Sequence, residues 1–368
     1  INLGQSNAGL PPFASLTGGG HGLRRGVLGA SGAVADGVQL LGALELQRND
    51  GPWTVPEGLH KTNAVATLSG GTPADGWQAS LMHYSARWTA TDQVPQRLID
   101  AGTFNGQPFG RFDSLDPSTG GRTRRSSLSA QWQRQDADGS TRLAAYLIDY
   151  RLDLWSNFTY ALERPLPGST QGDQFAQHDD RRVAGLSASR TLAHALAGLP
   201  ARSEFGLQLR HDRVRLGLDD TVQRQTTGTV RADRVRQTQL GLYAQTTLEL
   251  APWLRAIAGL RADLARFQVD SLLQPANSGR RSDSQLSPKL SLVAGPWAKT
   301  ELFFNAGRGL HSNDARGTTA RVDPRSGDPV DPVPGLVATR GLELGLRSEW
   351  LPGLNTSLAL WALDIGSE

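Results

Sequence analysis

The sequence contains no cysteine, which excludes thiolate metal sites and cysteine nucleophiles. It contains no run of about 18 or more apolar residues, so no stretch of it is built to cross a bilayer as a helix. Hydrophobic residues fill only 38% of its 368 positions and mean hydropathy is −0.37, too little for a large packed core. An excess of one charge is missing as well. Lys and Arg number 38 against 35 Asp and Glu, a net of +3, and no dense basic block appears, so nucleic acid is not an expected partner. No Walker loop, dinucleotide fingerprint or G-x-S-x-G elbow occurs. The seven histidines, His21, His60, His83, His178, His194, His211 and His311, include no pair at metal-ligand spacing. Glycine is plentiful, 42 residues, about 11% against the usual ~7%, which disfavours long helices.

What is present is a period of two. In a strand, successive side chains point to opposite faces. Leu240, Leu242, Ala244, Thr246, Leu248 and Leu250 alternate with Gln237, Gln239, Gln245 and Glu249. After Ala251-Pro252, Leu254, Ala256, Ala258, Leu260, Ala262 and Leu264 alternate with Arg255, Gly259, Arg261 and Asp263. Ala144, Tyr146, Ile148, Tyr150, Leu152 and Leu154 stand against Asp149, Arg151 and Asp153. Fifteen such segments are predicted, at 12–18, 23–33, 37–48, 61–70, 76–88, 122–135, 141–157, 178–192, 202–216, 235–250, 253–269, 284–294, 299–309, 338–350 and 355–366. Many exceed the ~5–6 residues of a soluble strand and reach the ~9–11 that cross a bilayer at a tilt.

The connections sort by length. Short ones fall near 34–36, 71–75, 136–140, 193–201, 251–252, 295–298 and 351–354, and the first hairpin, near 19–22, breaks the alternation by being short where a long loop is due. Long ones fall near 49–60, 89–121, 158–177, 217–234, 270–283 and 310–337. Short turns on one side and long loops on the other are the habit of outer-membrane barrels. Trp77, Trp253, Trp297 and Trp350 stand at short connections, and Trp88 and Trp155 stand where strands enter long loops. That distribution suggests aromatic girdles at both interfaces. The expected fold is therefore all-β, a transmembrane antiparallel up-and-down barrel.

Few residues suggest chemistry. Asp136-Ala137-Asp138-Gly139 reads as a hairpin turn rather than a calcium loop. His178-Asp179-Asp180 and His211-Asp212 read as solvated strand ends at outer loops. The densest polar run, His311 to Gly317, opens the loop 310–337 at the predicted mouth. His311, Asn313, Asp314 and Arg316 are the candidate ligand contacts. No cofactor is expected.

Several strand motifs, taken in order, resemble the TonB-dependent outer-membrane receptors. Gly259-Leu260-Arg261-Ala262-Asp263 is similar to the family's G-x-R-x-D strand. Ser287-Pro288-Lys289-Leu290-Ser291 resembles its S-P-K-x-S strand. Glu301-Leu302-Phe303-Phe304-Asn305-Ala306-Gly307-Arg308-Gly309 with His311-Ser312-Asn313 resembles E-L-Y-x-x-Y-G-x-G-F-H-S-N. Glu343-Leu344-Gly345-Leu346-Arg347 matches E-x-G-x-[RK]. Ile1-Asn2-Leu3 resembles the last strand of the plug. The resemblance implies that residues 1–10 end a plug and that 11–368 form about fifteen of about 22 strands. The remaining strands and the plug would lie outside this chain, and an open sheet of this kind is not expected to form a stable membrane barrel alone.

The resemblance further implies a bacterial outer-membrane receptor in contact with outer-membrane lipid. It would take up a scarce small-molecule nutrient such as a ferric siderophore or cobalamin, driven through TonB and the inner-membrane energising complex. It implies transport and no enzyme activity. A passive porin-type channel is the main alternative. An outer-membrane hydrolase pairing His83 with the Ser-rich strand 122–135, and a soluble secreted adhesin, are the others.

Overall fold

Each alternating segment pairs with the next in sequence. The computed structural model describes residues 9–164 and 172–366. Its single large sheet begins with β1 (Phe13–Gly18), β2 (Arg24–Ala35), β3 (Val38–Asn49), β4 (Leu59–Gly71) and β5 (Asp75–Thr89). It continues through β8 (Gly120–Asp136), β9 (Gly139–Ser156), β10 (Phe175–Leu196), β11 (Leu199–Val222) and β12 (Gln225–Ala251). It ends with β13 (Leu254–Ser271), β14 (Gly279–Trp297), β15 (Thr300–Ser312), β16 (Leu336–Leu351) and β17 (Leu354–Ile365). A separate small hairpin, β6 (Thr103–Phe104) with β7 (Gln107–Pro108), and a short helix α1 (Gln96–Ala101) lie in the β5–β8 loop. All fifteen large strands are antiparallel and follow chain order, which makes an up-and-down barrel wall. Among the described residues no pairing joins β1 to β17, so the wall is open there. Ile1-Asn2-Leu3 lies outside the described residues.

Most short connections are two residues long. Ala197-Gly198 and Ala298-Lys299 have positive φ at both positions, the geometry whose twist suits a hairpin. At Ala137-Asp138 the Asp138 N–H donates to Asp136 Oδ1 at 3.1 Å. The expected long loop at 217–234 is corrected. β11 and β12 run to 24 and 27 residues and meet at Gln223-Arg224, again with positive φ at both. The chain crosses this polar region as a β-ribbon, because ladder pairing satisfies its backbone groups without a core. His211-Asp212, expected at a strand end, therefore sits well inside β11.

The two faces separate cleanly. Leu81, Leu128, Leu147, Leu186, Leu242 and Leu264 remain 44–57% exposed and form an outward apolar band. On β13 the band runs from Leu254 to Leu264, about 33 Å along the strand and roughly 25 Å in height at the usual tilt. The opposite face carries Gln78, Ser80, Asp212, Val214, Val235, Phe267 and Val269, all buried. Glycines open flat berths on it: Tyr146 lies over Gly185, and Tyr243 over Gly206.

Two expectations about faces are corrected. In β9 it is Tyr146, Ile148 and Tyr150 that point inward, since Ile148 pairs with buried Val183. Asp149, Arg151 and Asp153 stand outward above Leu147. Trp88 shares the inward parity of Gln78 and Ser80 and packs over Gly121, so it belongs to no outer girdle. At the turn side, Trp77 pairs outward with Trp132, and the rings of Trp253 and Trp297 lie 5.9 Å apart.

Candidate ligand-binding site

The strand motifs interlock on the inner wall. Arg261 grips Asp263 through Nε and Nη2 at 2.7–2.9 Å and donates from Nη1 to Gln208 Oε1 at 3.0 Å. Lys289 reaches Gln245 Oε1 at 2.5 Å across Gly259, where a Cβ would stand 2.7 Å from Lys289 Cε. These groups line a cleft of ≈ 410 Å³ half-way along the wall. They tie strands two apart, β13 to β11 and β14 to β12, with charge-assisted hydrogen bonds.

At the long-loop end, the connection from β15 to β16 folds back against the inner wall. Ala315 and Leu336 pack on Val214, Val235, Ala265, Phe267 and Val269. Buried Asn277, in the β13–β14 loop, clamps the segment. Its Nδ2 donates to Val322 O at 2.9 Å and its Oδ1 accepts from the N–H of Arg321 and Val322 at 2.7 and 3.0 Å. Asp283 Oδ2 accepts from the N–H of Gly335 and Leu336.

The sequence candidates sit at this fold-back. Asn313 Nδ2 donates to Pro334 O at 2.8 Å, so its amide is committed to loop shape. Arg316 chelates Asp314 at 2.7 and 3.0 Å. Burial pushes the Asp314 carboxyl up, but the Arg316 guanidinium outweighs it and holds it below the usual carboxylate range. His311 lies on β15 opposite Val337. Asn313 and Asp314 join Arg181, Arg210, Gln237 and Gln239 around a cleft of ≈ 330 Å³ with Val214 and Val235 in its lining. Arg181 and Arg210 are each chelated by a carboxylate two residues away, Asp179 and Asp212. His311 and Arg316 are not among the residues that line it.

A second assembly had no local signal in the sequence. Asp116, 1% exposed, accepts from Asn157 Nδ2, Gln174 Nε2 and the Ser118 N–H and hydroxyl at 2.6–3.0 Å. Gln174 Oε1 accepts from the Thr221 hydroxyl and the Arg224 N–H. The Arg224 guanidinium donates to Ser118 O and Thr119 O and lies 4.9 Å from the Trp155 ring. Three loop regions are thus tied through one carboxylate. Among the described residues no cluster of His, Asp and Glu with metal-holding geometry occurs. His83 and Ser126 do share a hydrogen bond of 2.9 Å, but on the outward face beside Leu81 and Leu128. No carboxylate among the described residues bonds the imidazole, so the third member that would orient a nucleophilic pair is missing.

An antiparallel up-and-down wall with an outward apolar band and long loops gathered at one end is the wall of a membrane β-barrel. A model of the TonB-dependent receptor-like β-barrel matches residues 62–367, and the chain belongs to that family. None of the curated proteins matches it. Among solved structures it resembles the siderophore receptor PiuA from Acinetobacter baumannii, with a TM-score of 0.74 at 11% identity, over 95% of this chain and 56% of that one. It also resembles the closed form of the ferric-catecholate import receptor Fiu from E. coli K12, with a TM-score of 0.74 at 12% identity, over 96% and 57%. The copper transporter OprC gives 0.67 at 15%, over 96% and 53%. The chain spans a little over half the length of these proteins, and the likeness is one of fold.

Proposed function

We propose that this chain is the barrel portion of a bacterial outer-membrane receptor that captures a small-molecule nutrient at its loop-lined mouth and imports it in a TonB-dependent step. The supporting observation is the cleft between Arg181, Arg210, Gln237 and Gln239 of the wall and Asn313 and Asp314 of the folded-back loop. Amide and guanidinium donors over an apolar patch suit a compact polar ligand, and a ferric siderophore is the leading class, with cobalamin next. The protein's part is binding and release, without covalent chemistry. Contacts from Asp314, Arg316, Asn313 and His311 would join those of the wall as the loop adjusts.

The test is binding by the full-length receptor of ferric catecholate, ferric hydroxamate, ferric citrate and cobalamin, followed by tryptophan fluorescence. One of them should bind, and Arg210→Ala should weaken it at least ~10-fold, the loss typical of one charged hydrogen bond. Absence of binding by the whole panel, with free passage of small sugars through the reconstituted protein, would instead favour a passive channel.

A further inference from the structure

The long loop between β5 and β8 carries the small hairpin β6–β7. Its tip is Asn105-Gly106, with φ of 50° and 74°, the dipeptide and backbone that close a two-residue hairpin. The ladder beneath the tip is weak. It holds two residue pairs, Thr103 with Pro108 and Phe104 with Gln107, and Pro108 has no N–H to donate. The hairpin is anchored by Phe104, whose ring meets that of buried Tyr160 edge-on at 5.8 Å.

Asn105 stands apart from the asparagines of the other outer loops. Asn157, Asn277 and Asn313 commit their side-chain amides to Asp116, Val322 O and Pro334 O. Among the described residues, neither the Asn105 amide nor the Gly106 N–H has a hydrogen-bond partner. Both residues are exposed, and a Cβ built on Gly106 would meet nothing within 4 Å. No other asparagine in the sequence precedes glycine. Glycine has no Cβ to shield its nitrogen, so that nitrogen can reach the side chain of the asparagine before it. A two-pair ladder opens locally at little cost, which lets the two groups align.

We infer that Asn105 is a site of spontaneous deamidation, a slow covalent modification of the outer loop by its own backbone and water. Gly106 N attacks Asn105 Cγ; the N–Cγ bond forms and the Cγ–Nδ2 bond breaks. The Gly106 amide proton leaves with Nδ2 as ammonia, and a succinimide ring remains. Water then opens the ring. Breaking the N–Cγ bond gives aspartate. Breaking the bond between the ring nitrogen and the main-chain carbonyl carbon gives isoaspartate, whose backbone runs through Cβ and Cγ. Aspartate keeps the turn, since Asp-Gly closes the same hairpin. Isoaspartate lengthens the main chain by a methylene, so Phe104 and Gln107 lose register and Phe104 withdraws from Tyr160. The loop gathered around Asp116 thereby loosens with age.

The test ages the full-length receptor at mildly alkaline pH and labels it with protein isoaspartyl methyltransferase, the labelled peptide being located by mass spectrometry. In wild type, label should accumulate on the peptide carrying Asn105. It should accumulate at least ~10-fold more slowly on those carrying Asn157, Asn277 and Asn313, whose amides are held away from attack. Asn105→Gln has to close a larger ring and should cut the label at least ~10-fold. Asn105→Asp keeps a turn former at the tip and has no amide to lose, so it checks that slow labelling does not come from a disturbed hairpin; it should label slowly too. In aged wild type, hydrogen exchange should rise at 103–108 and 157–160 and stay unchanged at 313–335. Label on Asn105 no faster than on Asn277 or Asn313, or label in Asn105→Gln within ~3-fold of wild type, would overturn the inference. Unchanged exchange at 157–160 in a fully labelled sample would overturn its structural consequence.

Discussion

The two loop assemblies at the mouth are held by different physics. The first gathers loop 90–119, segments 157–164 and 172–174 and the β11–β12 tip around Asp116, through buried hydrogen bonds to Asn157, Gln174 and Ser118. The second lays 313–335 on Phe267, Val269 and Val235 through apolar contact, with Asn277 as its polar clamp. Hydrogen bonds have fixed partners and geometry, so the first assembly has one good arrangement. Apolar packing is non-directional, so in the second the hydrogen bonds of Asn277 and Asp283, rather than its apolar core, set the register of the segment. Asp220 links the two sides: it receives Arg164 from the first and Arg325, at 3.1 Å, from the second.

The comparison breaks most sharply at Phe267. It is fully buried, and Gly335 crosses its ring where a Cβ would stand 2.5 Å away. Phe267→Ala should cost about 3–5 kcal/mol. Hydrogen exchange should rise across 313–335 and stay unchanged across 90–119. Next comes Asp116→Ala, which leaves the buried amides of Asn157 and Gln174 without their acceptor. A loss of roughly 3 kcal/mol follows, and limited proteolysis should open 90–119 and spare 313–335. If either variant loosens both assemblies equally, the two are one cooperative unit and the distinction fails.

Acid sharpens the contrast through Asp173. Burial pushes its carboxyl up, but the N–H groups of Glu163, Arg164 and Leu162 and the Thr159 hydroxyl hold it below the ordinary value. A depressed folded pKa stabilises fully above the unfolded value near ~4 and is lost as pH falls through the folded one. Exchange at 159–164 should therefore accelerate only below about pH 4. The smallest effect is expected at Asp92, whose carboxyl is raised by burial against the opposing Asn157 N–H. A raised carboxylate weakens its loop once ionised, so Asp92→Asn should leave loop 90–119 as protected at pH 7 or more so, by up to ~1 kcal/mol, with no change at pH 3.

These differences mark what a sequence discloses and what it hides. Strands are periodic, and all fifteen were legible from alternation, as were the turns between them. The β11–β12 ribbon was not. Its tip is Gln223-Arg224 rather than an Asn-Gly signal, and Gly217, Gly228 and the polar run around them read as loop. Loop 310–337 was legible as a long-loop-end segment, because it follows a strand whose direction was known, and His311, Asn313, Asp314 and Arg316 remain proposed contacts. The wall residues that complete the cleft, Arg181 and Arg210, come from strands more than a hundred residues upstream. Asp116, Asn157, Gln174 and Arg224 meet across 41 to 106 residues, with no local pattern to announce them.

The central claim is that this wall belongs to an energised receptor. It is tested most directly by uptake of the radiolabelled ligand identified by binding, in cells carrying or lacking the full-length gene, each with and without TonB. The account predicts uptake only when both are present, with surface binding retained when TonB alone is removed. Uptake that persists without TonB and rises linearly with outside concentration would contradict it.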